Sequence, residues 1–137
     1  MQTQRVVLVV ALGLLLAGGS AAAHHAFTAE FDANRPLTLA GTVTKSEWVN
    51  PHAWIFMDVK NPDGAIVNWA VEMGPPSALV RRGWKRSALP VGSQITVDGY
   101  GAKNGRDVIN AIDIIFPDGT KIFAGSSGTG APREGPR

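Results

Sequence analysis

Ala53-Trp54-Ile55-Phe56-Met57-Asp58-Val59-Lys60, then Asn61-Pro62-Asp63-Gly64, then Ile66-Val67-Asn68-Trp69-Ala70-Val71-Glu72-Met73: the reading of these residues decides the fold. Side chains alternate between the two faces of a strand, so a half-buried strand alternates apolar and polar residues. Ala53, Ile55, Met57 and Val59 form one apolar row, and Trp54, Phe56 and Asp58 form the opposite one. Val67, Trp69, Val71 and Met73 repeat the pattern. Between the two runs stands a tight turn in which Gly64 can take positive φ. The two strands therefore form a hairpin with one buried face.

The same logic extends in both directions. Leu37, Leu39, Gly41 and Val43 alternate with Thr38, Ala40, Thr42 and Thr44 in an earlier strand that runs on through Trp48-Val49 to the turn signal Asn50-Pro51. Lys45-Ser46-Glu47 breaks its phase, which predicts a bend or bulge. Downstream, Gly74-Pro75-Pro76 stops the hairpin and opens a short helix over residues 77–82, with Arg81 and Arg82 suited to its last turn and Gly83 to its stop. Residues 94–100 and 108–116 read as two more strands separated by Asn104-Gly105, and Asp118-Gly119 turns into a short sixth strand near residues 121–124. His24 to Arg35 has no clear period and reads as an irregular lead-in. Gly125 to Arg137 is rich in Gly, Ser and Pro and reads as a disordered tail. Three strands, one short helix and two or three more strands predict an all-β domain: a small OB-type barrel of five to six strands, with an open sandwich as the alternative. The domain spans residues 24–124.

The start of the chain bears on where the protein works. Arg5 precedes an apolar stretch from Val6 to Ala17, followed by Gly18-Gly19-Ser20 and Ala21-Ala22-Ala23. The stretch is short of the ~20 apolar residues that span a bilayer. A basic start, a short apolar core and small residues at the end are the marks of a secretory signal peptide, here residues 1–23. The expected location is periplasmic or secreted, with no integral membrane segment after cleavage. The chain has no cysteine, so the exported fold stands without disulfides, and thiolate metal sites and thiol catalysis are excluded. It carries 13 Lys and Arg against 11 Asp and Glu. Loss of Arg5 with the leader brings the mature chain still closer to neutral, without the broad positive field that nucleic acid requires.

Chemistry centres on the three histidines. Cleavage after Ala23 makes His24 the first mature residue, while cleavage after Ala22 or Ala21 puts His25 or His24 third. An α-amine loses its proton far more easily than a lysine, with a pKa of roughly 7.7–8.0 against ~10.4. Amine and imidazole nitrogens in a tetragonal plane favour copper(II) or nickel(II). His24, His25 and His52 are therefore the candidate metal ligands, with copper(II) the expected ion. With His24 first, the arrangement resembles the histidine brace of copper oxygenases and copper-carrying periplasmic proteins. With a histidine third, it resembles the amino-terminal copper and nickel motif of serum albumin. Oxidative catalysis on such a brace would need no further residue, but none in the sequence argues for it.

A second candidate site is aromatic. Trp48 and Trp54 flank the Asn50-Pro51 turn, and both are placed to approach His52. Trp54 and Phe56 share the outward face of their strand, where Asn68, Ala70 and Glu72 join them from its neighbour. Trp48, Trp54, Phe56 and Glu72 make a candidate surface for a periplasmic protein, a saccharide or another small ligand, without a metal. Arg81, Arg82, Lys85 and Arg86 surround Trp84 in a basic cluster that could meet an anion, a lipid headgroup or an acidic partner. Glu47 and Glu72 look isolated, and no nucleophile or acid–base pair has catalytic spacing. The sequence therefore names no catalytic residue and does not read as an enzyme.

His24-His25-Ala26-Phe27, Glu30-Phe31-Asp32, Gly41-Thr42-Val43, Trp48-Val49-Asn50-Pro51-His52-Ala53-Trp54, Arg81-Arg82-Gly83-Trp84 and Gly99-Tyr100 together resemble a family of exported bacterial proteins known as a domain of unknown function. The resemblance covers nearly all of residues 24–124, and Asn-Pro-His-Ala-Trp is its most specific part. Members often read His-His-Ser-Phe where this chain has Ala26, which removes a hydroxyl but neither histidine. The resemblance implies export and a small β domain, and no activity.

Overall fold

The computed structural model describes residues 27–125. The expected leader, His24, His25 and the tail beyond Gly125 lie outside the described residues. Within them the chain is mostly β, with strands β1 (Phe31–Trp48), β2 (Ala53–Lys60), β3 (Ile66–Glu72), β4 (Gln94–Ala102), β5 (Val108–Ile115) and β6 (Lys121–Phe123). One short helix, α1 (Pro76–Arg81), connects β3 to β4. No described helix is long and apolar enough to cross a membrane.

The strands form one sheet in the order β3-β2-β1-β4-β5-β6, and β3 also pairs with β5. Hydrogen bonding therefore runs in a ring through β1, β2, β3, β5 and β4 and back to β1. All pairs are antiparallel except β3 with β5. The expected hairpin is present, with Lys60 opposite Ile66 and Trp54 opposite Glu72. Its turn uses Gly64 at φ +89°, a conformation open to glycine because it has no Cβ.

The period-2 reading of the interior holds. Ala53, Ile55, Met57, Val59, Trp69, Val71 and Met73 join Val43, Leu79, Ile95, Val97, Ile109 and Ile114 in one buried cluster. Each aliphatic side chain of that size contributes about 1.5–3 kcal/mol on burial. The predicted phase break is a bulge at Thr44, since Val43 faces Met57 and Lys45 faces Phe56. The extra residue moves the inward role from odd to even positions, so Trp48 stands opposite Ala53 and packs on the core. α1 begins one residue earlier than expected, at Pro76, and Gly83 follows it at φ +96°.

The lead-in departs from expectation. Residues 27–30 form a helical turn, and β1 already starts at Phe31. The strand is irregular there, because its register with β4 jumps between Phe31 and Pro36. Arg35 spans the gap by donating from Nη1 to the Ala102 carbonyl at 2.8 Å. The turn is held by a second, smaller cluster of Phe27, Phe31, Tyr100, Ala102 and Ile112. Phe27 stacks on Phe31 at 5.8 Å and meets Tyr100 edge-on at 5.7 Å.

Candidate functional site

The outer side of the sheet carries a row set by register. Trp54 on β2 is opposite Glu72 on β3, Glu72 is opposite Asn110 on β5, and Asn110 is opposite Tyr100 on β4. Directly paired residues project to the same side of a sheet. The row therefore crosses the parallel junction of β3 and β5, and Phe27 covers its Tyr100 end. Between the turn at residues 27–30 and the rest of the row lies a recess of about 250 Å³. Its walls are Phe27, Glu30, Phe31, Pro51, His52, Trp54, Glu72 and Asn110.

His52 enters from the loop between β1 and β2, where the Asn50–Pro51 peptide is cis. Its Nδ1–H donates to the Glu72 carboxylate. The imidazole is 25% exposed and the carboxylate 8%. The hydrogen bond to Glu72 raises the His52 pKa above 6.5; burial opposes it, and the negative charges of Glu72 and Glu30 reinforce it. Pairing explains how a carboxylate is accommodated in so buried a position. Asn110 is 4% exposed, and its Oδ1 has no hydrogen-bond partner among the described residues.

The structure divides the predicted site residues. His52, Trp54 and Glu72 come together in the recess. Trp48 does not: its pairing with Ala53 turns it to the interior face, away from Trp54, and its Nε1–H donates to Ser46 Oγ at 3.0 Å. The bulge that changed the phase of β1 puts the two expected tryptophans on opposite faces, and of the two only Trp54 is a wall of the recess with His52. Phe56 shares the face of Trp54 but lies outside the recess, with the Lys45 ammonium 5.5 Å from its ring centre. His24 and His25 fall outside the described residues. Among the described residues, no group of three or more His, Asp or Glu is placed to hold a metal.

The basic cluster resolves into structure as well. Trp84 is buried and donates from Nε1 to the Phe123 carbonyl at 2.9 Å. Arg82 lies 4.7 Å over the Phe123 ring and donates to the Gly125 carbonyl at 3.0 Å. Both therefore tie the segment after α1 to β6, while Arg81, Lys85 and Arg86 are exposed.

Sequence reasoning missed the partnership of His52 with Glu72, and it missed Asn110, Phe27 and Glu30 altogether. One signal for the first was within reach. Carrying the hairpin register back from the Asn61–Gly64 turn pairs Trp54 with Glu72, and one more pleat puts His52 diagonal to that carboxylate.

A family model for a family of unknown function, DUF6152, matches residues 11–109. The chain belongs to this family. The match runs through β1 to β4 into the start of β5, and so includes every described wall of the recess except Asn110. No curated protein matches the chain.

Proposed function

We propose that this DUF6152 protein is an exported, OB-type β-barrel that binds copper(II) in the periplasm. The ligands are the amino terminus freed by signal cleavage, His24, His25 and His52. The barrel reading is supported by the ring of hydrogen bonds and by α1 lying between β3 and β4, the place of the helix in the predicted strand order. Export is supported by the composition of residues 1–23.

The observation that carries the metal reading is the contact of His52 Nδ1 with Glu72. Metal-binding histidines characteristically donate their second ring N–H to a carboxylate, which fixes the tautomer and makes the other nitrogen a better ligand. Here Nδ1 is committed to Glu72, so the neutral ring presents Nε2 as a lone pair. Chain length supports the meeting of the ligands. Phe27 lines the same recess as His52, and a chain covers at most ~3.3–3.6 Å per residue, so His24 and His25 are tethered within roughly 10 Å of Phe27. A donor set of amine and imidazole nitrogens, without thiolate, favours copper(II) over calcium or magnesium. Titration of the mature protein with copper(II), beside a His24/His25/His52 triple alanine variant, tests the proposal. The wild type takes up one equivalent at least tenfold more tightly; equal affinity removes the reading.

A second reading is a metal-free OB-type module for a periplasmic protein or saccharide. It is favoured by the half-buried Trp54 and Phe56 on the outer face of β2. A partner captured from a periplasmic extract by wild type but not by Trp54→Ala supports it, and capture unaffected by that change rejects it.

A further inference from the structure

A copper chelate leaves three features of the recess unused. The first is Asn110. Its Oδ1 is buried without a donor among the described residues, and Asn110 stands directly opposite Glu72 in the parallel pair. An unmet buried acceptor carries an uncompensated desolvation cost, which a guest N–H recovers. The second is charge. The ionisable groups on the described walls are Glu30, His52 and Glu72, with no Lys or Arg among them. Glu72 is matched by His52, which leaves Glu30 as surplus negative charge. Lys103 and Arg106 line an adjoining recess that shares Glu30; Lys103 donates from Nζ to the Thr28 carbonyl, and among the described residues neither cation forms an ion pair with Glu30. The third is the aromatic lining of Phe27, Phe31 and Trp54. Aromatic faces attract cations, and more strongly where water is excluded.

An unmet acceptor, surplus carboxylate and aromatic walls specify the same kind of guest. An anion is repelled by Glu30 and Glu72. A neutral alcohol can satisfy Asn110 but gains nothing from the charge. A quaternary ammonium gains from charge and rings but has no N–H for Asn110. The volume of about 250 Å³ is some eight times the ~30 Å³ that a water takes in the liquid, so the guest is small. We propose that the recess bounded by Phe27, Trp54, Glu72 and Asn110 binds a small primary ammonium compound, its N–H groups directed to Asn110 Oδ1 and the Glu72 carboxylate and its alkyl chain against the aromatic rings. The site does not rest on the copper reading: Asn110, Glu30 and the rings play no part in that chelate, and Glu72, which holds His52 there, has oxygen lone pairs beyond the one that accepts from Nδ1.

The test uses the mature full-length chain in EDTA, with n-butylammonium as probe and n-butanol as its neutral counterpart. Binding is followed by Trp fluorescence and by amide chemical shifts. Saturable n-butylammonium binding is expected, at least tenfold tighter than n-butanol, with Glu30→Gln and Glu72→Gln each weakening it threefold or more. Equal binding of amine and alcohol overturns the proposal, as does binding undiminished in both variants. Glu30 is exposed, so Glu30→Gln alone decides between these outcomes if Glu72→Gln fails to fold. With metal removed by EDTA, the outcome is independent of the copper titration.

Discussion

The two faces of β2 obey different rules. Its inner face, Ala53, Ile55, Met57 and Val59, is apolar and buried in the main cluster. Its outer face begins at Trp54, half-buried beside an imidazole–carboxylate pair and an unmet amide oxygen. The inner face minimises exposed apolar surface and leaves no polar group to satisfy. The outer face keeps polar groups in a partly buried place, where each needs a partner and one, Asn110 Oδ1, has none among the described residues. Burial of that kind costs stability and is characteristic of binding sites. The contrast predicts that changes on the inner side cost stability, while changes in the recess alter binding and pH response with little loss of stability or even a gain.

The largest effect is expected from Ile109→Ala. Ile109 is fully buried and paired with both Val71 and Gly101, at the point where β5 closes the ring. Truncation there costs about 2–5 kcal/mol, measurable as a lower urea midpoint. A cost under about 1 kcal/mol would mean that this side of the ring is not tightly packed. Trp84→Phe comes next. It keeps most of the apolar bulk but leaves the Phe123 carbonyl without its donor, at a cost of about 1–3 kcal/mol in the same assay.

Much of the inner face was legible in the sequence because alternation and turn chemistry are local. Residues 53–60 and 66–73 alternate cleanly, and Gly64 and Gly83 take the positive φ that their turns require. The recess was not legible because its parts are local nowhere. It needs the turn at residues 27–30, the loop before β2, the end of β3 and the middle of β5 together. Phe27 and Phe31 stand in a stretch without a period, where Asp32 caps its own turn by accepting from the Asn34 N–H at 2.9 Å. Trp48 and Trp54 looked equivalent in sequence, but one unpaired residue at Thr44 sent them to opposite faces.

Two recess variants sharpen the contrast. Asn110→Leu removes the unmet acceptor and is expected to stabilise the protein by about 1 kcal/mol while weakening n-butylammonium binding. A loss of more than about 2 kcal/mol would show that Asn110 is part of the packed interior and not of a binding site. For His52 the relevant quantity is pH dependence. Its pKa is raised in the folded state, so the protonated ring favours folding. That stabilisation is fully present below the unfolded value near 6.5 and fades as pH rises through the raised folded value. In EDTA, the stability difference between wild type and His52→Gln should therefore be greatest at pH 5.5 and smaller at pH 8.5. A difference that grows with pH contradicts the pairing with Glu72. The smallest effect is expected from Lys45→Ala on the outer face, where an exposed ion pair with Glu47 and a contact over Phe56 contribute no more than about 1 kcal/mol.

Copper binding of the proposed kind depends on an amine that exists only after cleavage and on a ring already held through Nδ1. Native mass spectrometry of the exported protein tests both at once: it reads the mature amino terminus and counts the copper bound. Wild type, His52→Ala and a form carrying two added residues before His24 are compared at equal copper(II). The expected result is a mature chain beginning within residues 22–24 and one retained copper, with retention falling at least tenfold in both altered forms. Equal retention of copper by all three would contradict the proposed chelate.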